Sequence, residues 1–441
     1  MNRAATEKTS PNRPRLRIRD CYAFFGPLIL MVELNMISKS VIHAFLARTD
    51  TPSISLAAFN SAFTLYFALT SATEIIVMLC LSYLKSRRDI FRLLGFMTVI
   101  LVVPLSLALT IALTDVGDEV FGNWFGLSAQ GQLQARICVG LLTLSIPVLL
   151  LRGTAFALLM INRRTIIITC STFIRLSSLA VSLVVLPHWL EGAAIGAGAL
   201  VICMASETVF SWFFALKYLL RLPAERSDQT SFLGYWGFSW PLIINTSAEM
   251  GVIFTINLFL GRLSNAELAI AAFGVTHGLV SLLMGPMRNL TQTAQTLVGQ
   301  REDVRVLLVF TGQLIAIFAL LAIALFQTPL RDEILRGVMG LTPELAAYCE
   351  PAMAVSFVMA AFWSSTALFR GLLAKARTTK SLAASGILRI GVAAAAGSLS
   401  ITYPELNGAL LGVSAWILSY AIETTISGWR LRRLGWYANV S

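Results

Sequence analysis

The stretch "FSWPLIINTSAEM" at residues 238–250 repeats "FFGPLILMVELNM" at residues 24–36, and the repeat decides how the whole chain is read. Sliding the sequence by 214 positions keeps the match going without a gap. Arg48 falls on Arg262, Ala57-Ala58-Phe59 on Ala271-Ala272-Phe273, Arg87 on Arg301 and Asp89 on Asp303. Across residues 24–96 against 238–310, 19 of 73 positions are identical. Farther along, Arg163 meets Arg377 and Arg175 meets Arg389; a two-residue slip then brings "EGAAIG" onto "NGALLG" and Glu207 onto Glu423. Aligned arginines and glutamates are not produced by shared apolarity alone, so the chain is an internal duplication.

Of the 441 residues, 56% are hydrophobic and 13% charged. A water-soluble domain carries about 25% charged residues, and here apolar runs long enough to span a bilayer recur throughout. Twelve spans are expected, at 22–46, 56–84, 91–113, 137–160, 165–187, 192–216, 232–260, 268–298, 304–327, 346–372, 380–401 and 407–429. The fold class is therefore an all-α integral membrane protein of two pseudo-symmetric six-helix lobes. The expected division is a basic tail (1–20), a first lobe (21–220), a linker (221–231), a second lobe (232–433) and a short tail (434–441). Six spans per repeat is an even number, so both lobes start on the same side. Their pseudo-twofold axis then runs along the membrane normal, which suits alternating access around a midplane cavity.

The net charge of +11 does not point to nucleic acid, because the basic residues sort by side. With the tail "NRPRLRIRD" in the cytoplasm, 23 of the 34 Lys and Arg residues are cytoplasmic and five (Arg48, Arg136, Arg262, Arg331, Arg336) lie opposite. That bias places both termini in the cytoplasm. Compact loops suggest a bacterial inner membrane, with the lipid bilayer as the constant partner and a monomer as the expected state. Six scattered cysteines without a CxxC pair read as packing residues. Three separated histidines make no metal set, and no nucleophile or phosphate loop indicates an enzyme.

Six cations remain inside spans: Lys39, Arg152, Arg175, Arg288, Arg370 and Arg389. A charge at mid-bilayer costs about 2.5–3.5 kcal/mol even on the lenient insertion scale, so such residues mark function or paired structure. Arg288 follows Gly285-Pro286-Met287, which weakens its helix beside a water-lined cavity. The repeat sets it opposite Glu74, and the two are expected to pair across the cleft until an anion displaces Glu74. Arg152 and Arg370, each followed by a glycine that permits close helix approach, are further candidates for the anion, as is Lys39. Arg175 and Arg389 lie a third of the way along their helices and read as interfacial, snorkelling, or as partners of Glu207 and Glu423. Those two acids are otherwise gating candidates. Glu33 and Glu249 do not coincide under the repeat and are the better candidates for coupling to H⁺ or Na⁺. Guanidinium matches carboxylate and phosphate oxygens bidentately, so the balance favours an anionic substrate.

Three further stretches carry a family resemblance: "HGLVSLLMGPMRNLTQTAQTLV" (277–298), "RLSSLAVSLVVLPHWLEGAAIGAGALV" with "SETV" (175–209), and "YWGFSWPLI" (235–243). With the span count, they resemble the multidrug, oligosaccharidyl-lipid and polysaccharide (MOP) exporter superfamily, and within it the progressive ankylosis protein family. The first two stand in the opposite halves from their places in that family. The resemblance implies export of a small polyanion of the citrate, pyrophosphate or nucleotide type, and points to Arg288 and Glu207. Two rivals share the fold: a cation-coupled multidrug exporter of the MATE type, using Glu33 or Glu249, and a lipid-linked precursor flippase.

Overall fold

A computed structural model describes residues 16–46, 48–49, 52–124, 127–224, 230–339 and 341–435, apart from twelve helical positions whose side chains are not described. Lys39 is one of these, so its expected part in the site falls outside the described residues. Every regular element among the described residues is helical. Eleven helices are long and apolar enough to cross a membrane, and Ile18–Leu46 packs beside them as the first of twelve. In chain order they are α1 (Ile18–Leu46), α2 (Ile54–Tyr83), α3 (Arg87–Leu113), α4 (Ala129–Ile161), α5 (Thr165–His188) and α6 (Ala193–Leu219). The second set is α7 (Phe232–Leu260), α8 (Leu268–Leu297), α9 (Arg301–Phe326), α10 (Pro343–Lys375), α11 (Lys380–Thr402) and α12 (Gly408–Arg433).

All twelve expected spans are present, but α4 starts eight residues earlier than hydropathy indicates. Its first turns, "AQGQLQA", are too polar for an apolar window. They are helical because Ser128 caps Gly131 N and Arg136 pairs with Asp118 at 2.6 Å. A cap and a salt bridge suffice to carry a helix beyond the apolar slab.

Local irregularities recur with the sequence repeat. Helix α2 breaks into a 3₁₀ turn at Ser71–Glu74, and α8 does so at Gly285–Asn289, 214 residues on. The turns after α4 and α10 put Arg163 and Arg377 at positive φ, 55° and 54°. Capping boxes open α3 at Ser86/Asp89 and α9 at Gln300/Asp303. The contacts between lobes also come in pairs. Phe96 of α3 meets Tyr235 of α7 at 5.7 Å between ring centroids, and Phe310 of α9 meets Phe25 of α1 at 5.6 Å.

The glycines after Arg152 and Arg370 seat α4 on α2 and α10 on α8. A Cβ on Gly371 would stand 2.4 Å from the Thr291 carbonyl oxygen and 2.9 Å from Thr291 Cα, whereas one on Gly153 would meet the Ile76 Cγ2 methyl at 2.3 Å. A side-chain methyl can rotate aside; a helix backbone cannot. Gly371→Ala should therefore destabilise by about 1–3 kcal/mol, the usual cost of overpacking, and Gly153→Ala by less. Thermal unfolding of the two variants in detergent checks the order, and equal shifts would contradict it.

Candidate functional site

Each lobe buries a carboxylate between two arginines. In the first, Glu207 on α6 is fully buried; it accepts from Arg152 Nη1 at 3.0 Å and lies 3.5 Å from Arg175 Nη1. Thr172 donates to its other oxygen at 3.2 Å, and Arg175 donates to Asn35 Oδ1 at 2.8 Å. In the second, Glu423 on α12 accepts from Arg370 at 3.1 Å, Arg389 at 2.8 Å and Asn245 at 2.9 Å. These residues are placed by helix periodicity: Arg152 and Arg370 project from mid-helix beside their glycines, so short spacers bring all three elements together. A buried ion is tolerable only when paired and hydrogen-bonded, and both triads meet that condition.

The interfacial, snorkelling reading of Arg175 and Arg389 is corrected by this geometry. Their side chains are 10% and 0% exposed and turn inward to Glu207 and Glu423. The pull of a buried carboxylate outweighs the reach to headgroups. The alternative reading, in which the two acids hold them within each lobe, agrees with the structure. The same acids also hold Arg152 and Arg370.

Arg288 stands on the 3₁₀ turn of α8 with its side chain 53% exposed. The expected pairing with Glu74 is not formed. Its partner is Glu249 on α7 at 3.5 Å, while Glu74 of the other lobe lies within electrostatic range without contact. The reason is proximity within a lobe: α7 and α8 are sequential neighbours, whereas α2 and α8 meet across the cleft, where their 3₁₀ turns sit opposite each other. Glu74 is exposed, Glu33 half-buried, and neither has an ion-pair partner among the described residues.

The triads are alike, but their surroundings are not. In the first lobe, Arg152, Arg175, Asn35 and Glu74 line a cavity of about 160 Å³ with Phe63 and Met204. At repeat-equivalent positions the second lobe has bulk and charge: His277 for Phe63, Trp416 for Leu200, Tyr420 for Met204 and Glu249 for Asn35. His277 meets Trp416 in a tilted contact with 4.5 Å between ring centroids, and Trp363 meets Tyr420 likewise at 5.5 Å. The first lobe carries the hollow and the second an aromatic plug. Neither charge nor hydropathy marks Asn35, His277, Trp416 or Tyr420 in the sequence. Comparing the two halves position by position would have raised them, because each replaces a different type in its counterpart.

Polar and aromatic bonds joining the lobes gather at the end of the molecule rich in basic residues. Gln295 donates to Met78 O at 3.2 Å and to Ser82 Oγ at 3.1 Å, and Arg377 donates to Ser82 O at 2.6 Å while its guanidinium lies 4.0 Å from the Tyr83 ring centroid. Tyr22 donates to Gln313 Oε1 at 3.1 Å, and Asn289 to Leu28 O at 3.2 Å. The basic end is thus closed by side chains of both lobes.

No protein-family model matches the chain, and no curated protein sequence does. Solved structures do. An outward-facing multidrug resistance MATE family transporter of the MOP superfamily aligns with a TM-score of 0.72 at 14% identity, covering 96% of each chain. The VcmN MATE transporter of Vibrio cholerae gives 0.72 at 14% identity, covering 96% of this chain and 98% of its own. A MOP superfamily transporter from Pyrococcus furiosus, for which a binding pocket of reverse polarity suggests a different function, gives 0.70 at 13% identity over 95% and 96%. At such identities the likeness establishes architecture alone: this chain has the multi-pass membrane fold of the MATE transporters.

Proposed function

We propose that this protein exports a small polyanion of the di- or tricarboxylate, pyrophosphate or nucleotide type by alternating access between its lobes. The observation that carries the reading is the two-to-one ratio of guanidinium to carboxylate in each buried triad. Each triad holds one positive charge in excess, and a buried excess charge must be met by a counter-ion. In the first lobe Glu74, on the wall of the cavity that Arg152 and Arg175 line, serves in the empty state. In the second, Glu249 divides its charge between Arg288 and the nearby triad, leaving Arg288 half-exposed in the cleft. An arriving anion takes over Arg288 and Arg152, while Glu74 and Glu249 are released to solvent or to a coupling H⁺ or Na⁺. With the termini in the cytoplasm, as the positive-inside bias indicates, the closed basic end makes this the outward-facing state. Support comes also from the resemblance to the progressive ankylosis protein family and from the fold shared with a transporter of reversed pocket polarity.

The test is uptake of radiolabelled citrate and pyrophosphate into proteoliposomes, against ethidium as a cationic drug. Anion uptake that saturates, with no ethidium movement, is the expected result; ethidium movement alone overturns it. A second reading, the cation-coupled multidrug exporter, rests on Glu33, which has no ion-pair partner among the described residues, and on Glu249, which is held only by the 3.5 Å contact to Arg288. Ethidium efflux abolished by Glu33→Gln or Glu249→Gln would favour it.

A further inference from the structure

A second cavity, of about 690 Å³, opens at the basic end, lined by the second lobe and by Tyr83 of the first. Its wall combines the start of α11, the turn before it, the first turns of α7 and the last turns of α12. Arg377, Lys380 and Arg430 line it with Thr378, Ser381 and Trp429, and no acidic residue is among the lining side chains. Neither Lys380 nor Arg430 has an ion-pair partner among the described residues, and Ser381 Oγ is buried without a hydrogen-bond partner. Trp429 is 52% exposed, with the Arg433 guanidinium 3.7 Å from its ring centroid, an arrangement suited to a bilayer interface.

The repeat shows that this site is not inherited from the duplicated unit. At equivalent positions the first lobe has Ile166 for Lys380, Ile167 for Ser381, Phe213 for Trp429, Phe214 for Arg430 and Asp20 for Gly234. At these positions the second lobe has cations, a hydroxyl, an indole and a glycine where the first has two isoleucines, two phenylalanines and an aspartate, while Arg377 keeps its counterpart in Arg163. Cations clustered without acids, in a hollow at the basic ends of the helices, match a phosphate oxyanion in size and charge.

We propose that this cavity binds a phosphate-bearing anion, either the headgroup of an acidic lipid or free phosphate, through Lys380, Arg430 and Ser381. The probes are dioctanoyl phosphatidic acid, dioctanoyl phosphatidylcholine and inorganic phosphate, titrated into the full chain in uncharged detergent. Thermal shift and tryptophan fluorescence are the readouts. The expected result is binding of phosphatidic acid or of phosphate in preference to phosphatidylcholine, weakened about thirty-fold in Lys380→Ala/Arg430→Ala. Binding of the lipid but not of phosphate identifies a headgroup site; binding of both, in competition, identifies the phosphate group itself. Phosphatidylcholine binding equal to that of phosphatidic acid would overturn the proposal. So would wild-type affinity in the double variant, which would move the binding to the central arginines. Should the double variant not fold, Lys380→Gln and Arg430→Gln singly, each losing about five-fold, decide the same question.

Discussion

Glu423→Ala should leave little folded protein in detergent, with a loss of about 3–5 kcal/mol, the cost of breaking a buried ion pair from one side. The Glu423 side chain is wholly buried and holds two arginines and Asn245. One of those arginines, Arg389, is itself 0% exposed, and its Nε and Nη2 already lack hydrogen-bond partners. Without the carboxylate, two guanidiniums face each other in a buried site with no counter-charge between them. Against a total folding stability of about 5–15 kcal/mol, that loss is decisive. The equivalent Glu207→Ala should cost less, since Arg152 and Arg175 border the first-lobe cavity and Arg175 keeps its bond to Asn35. Removing Arg389 together with the acid, as in Arg389→Met/Glu423→Leu, should restore part of the stability, because only Arg370, whose side chain is 16% exposed, is then left without its carboxylate. Melting temperatures of the three variants provide the measurement. A Glu423→Ala protein as stable as wild type would mean that the triad is not what holds α10, α11 and α12 together.

Arg288→Ala is the complementary case, with a small effect on folding and a large one on transport. Its side chain is half-exposed and makes a single 3.5 Å contact to Glu249, and exposed pairs contribute about 0–1 kcal/mol. A hydrogen bond from a guanidinium to an anionic cargo contributes about 1.5–3 kcal/mol, so anion uptake should fall about ten- to hundred-fold. Arg288→Lys should recover part of the rate, because the charge remains while the bidentate geometry is lost. Wild-type citrate and pyrophosphate uptake by a well-folded Arg288→Ala protein would remove this residue from the path. The proposed phosphate cavity around Lys380 and Arg430 would be untouched by that outcome, since Arg288 is not among its lining residues.

Much of this molecule is legible in its sequence, because the bilayer makes composition speak. A span must be apolar and must satisfy its own backbone, so twelve helices and their order follow from hydropathy. The duplication followed from aligned charges, and even the break at Gly285-Pro286 was visible, because proline removes a helix donor and crowds the preceding turn. The singling out of Arg152, Arg175, Arg370, Arg389, Glu207 and Glu423 needed only their cost in lipid.

What the sequence could not settle was which of these charges meet. Arg288 was assigned to Glu74 by symmetry, yet it pairs with Glu249. Symmetry relates equivalent positions, whereas a salt bridge requires atoms within about 4 Å, and that depends on which helices touch. Position along the chain determined the helices, the repeat and the charged residues. Tertiary packing alone decided that each buried glutamate would hold two arginines, that a hollow would lie beside Arg152 and Arg175 of the first lobe, and that side chains of both lobes would bond at the basic end. Helix crossings and side-chain volumes fix those outcomes, and neither is written in the hydropathy of a single span.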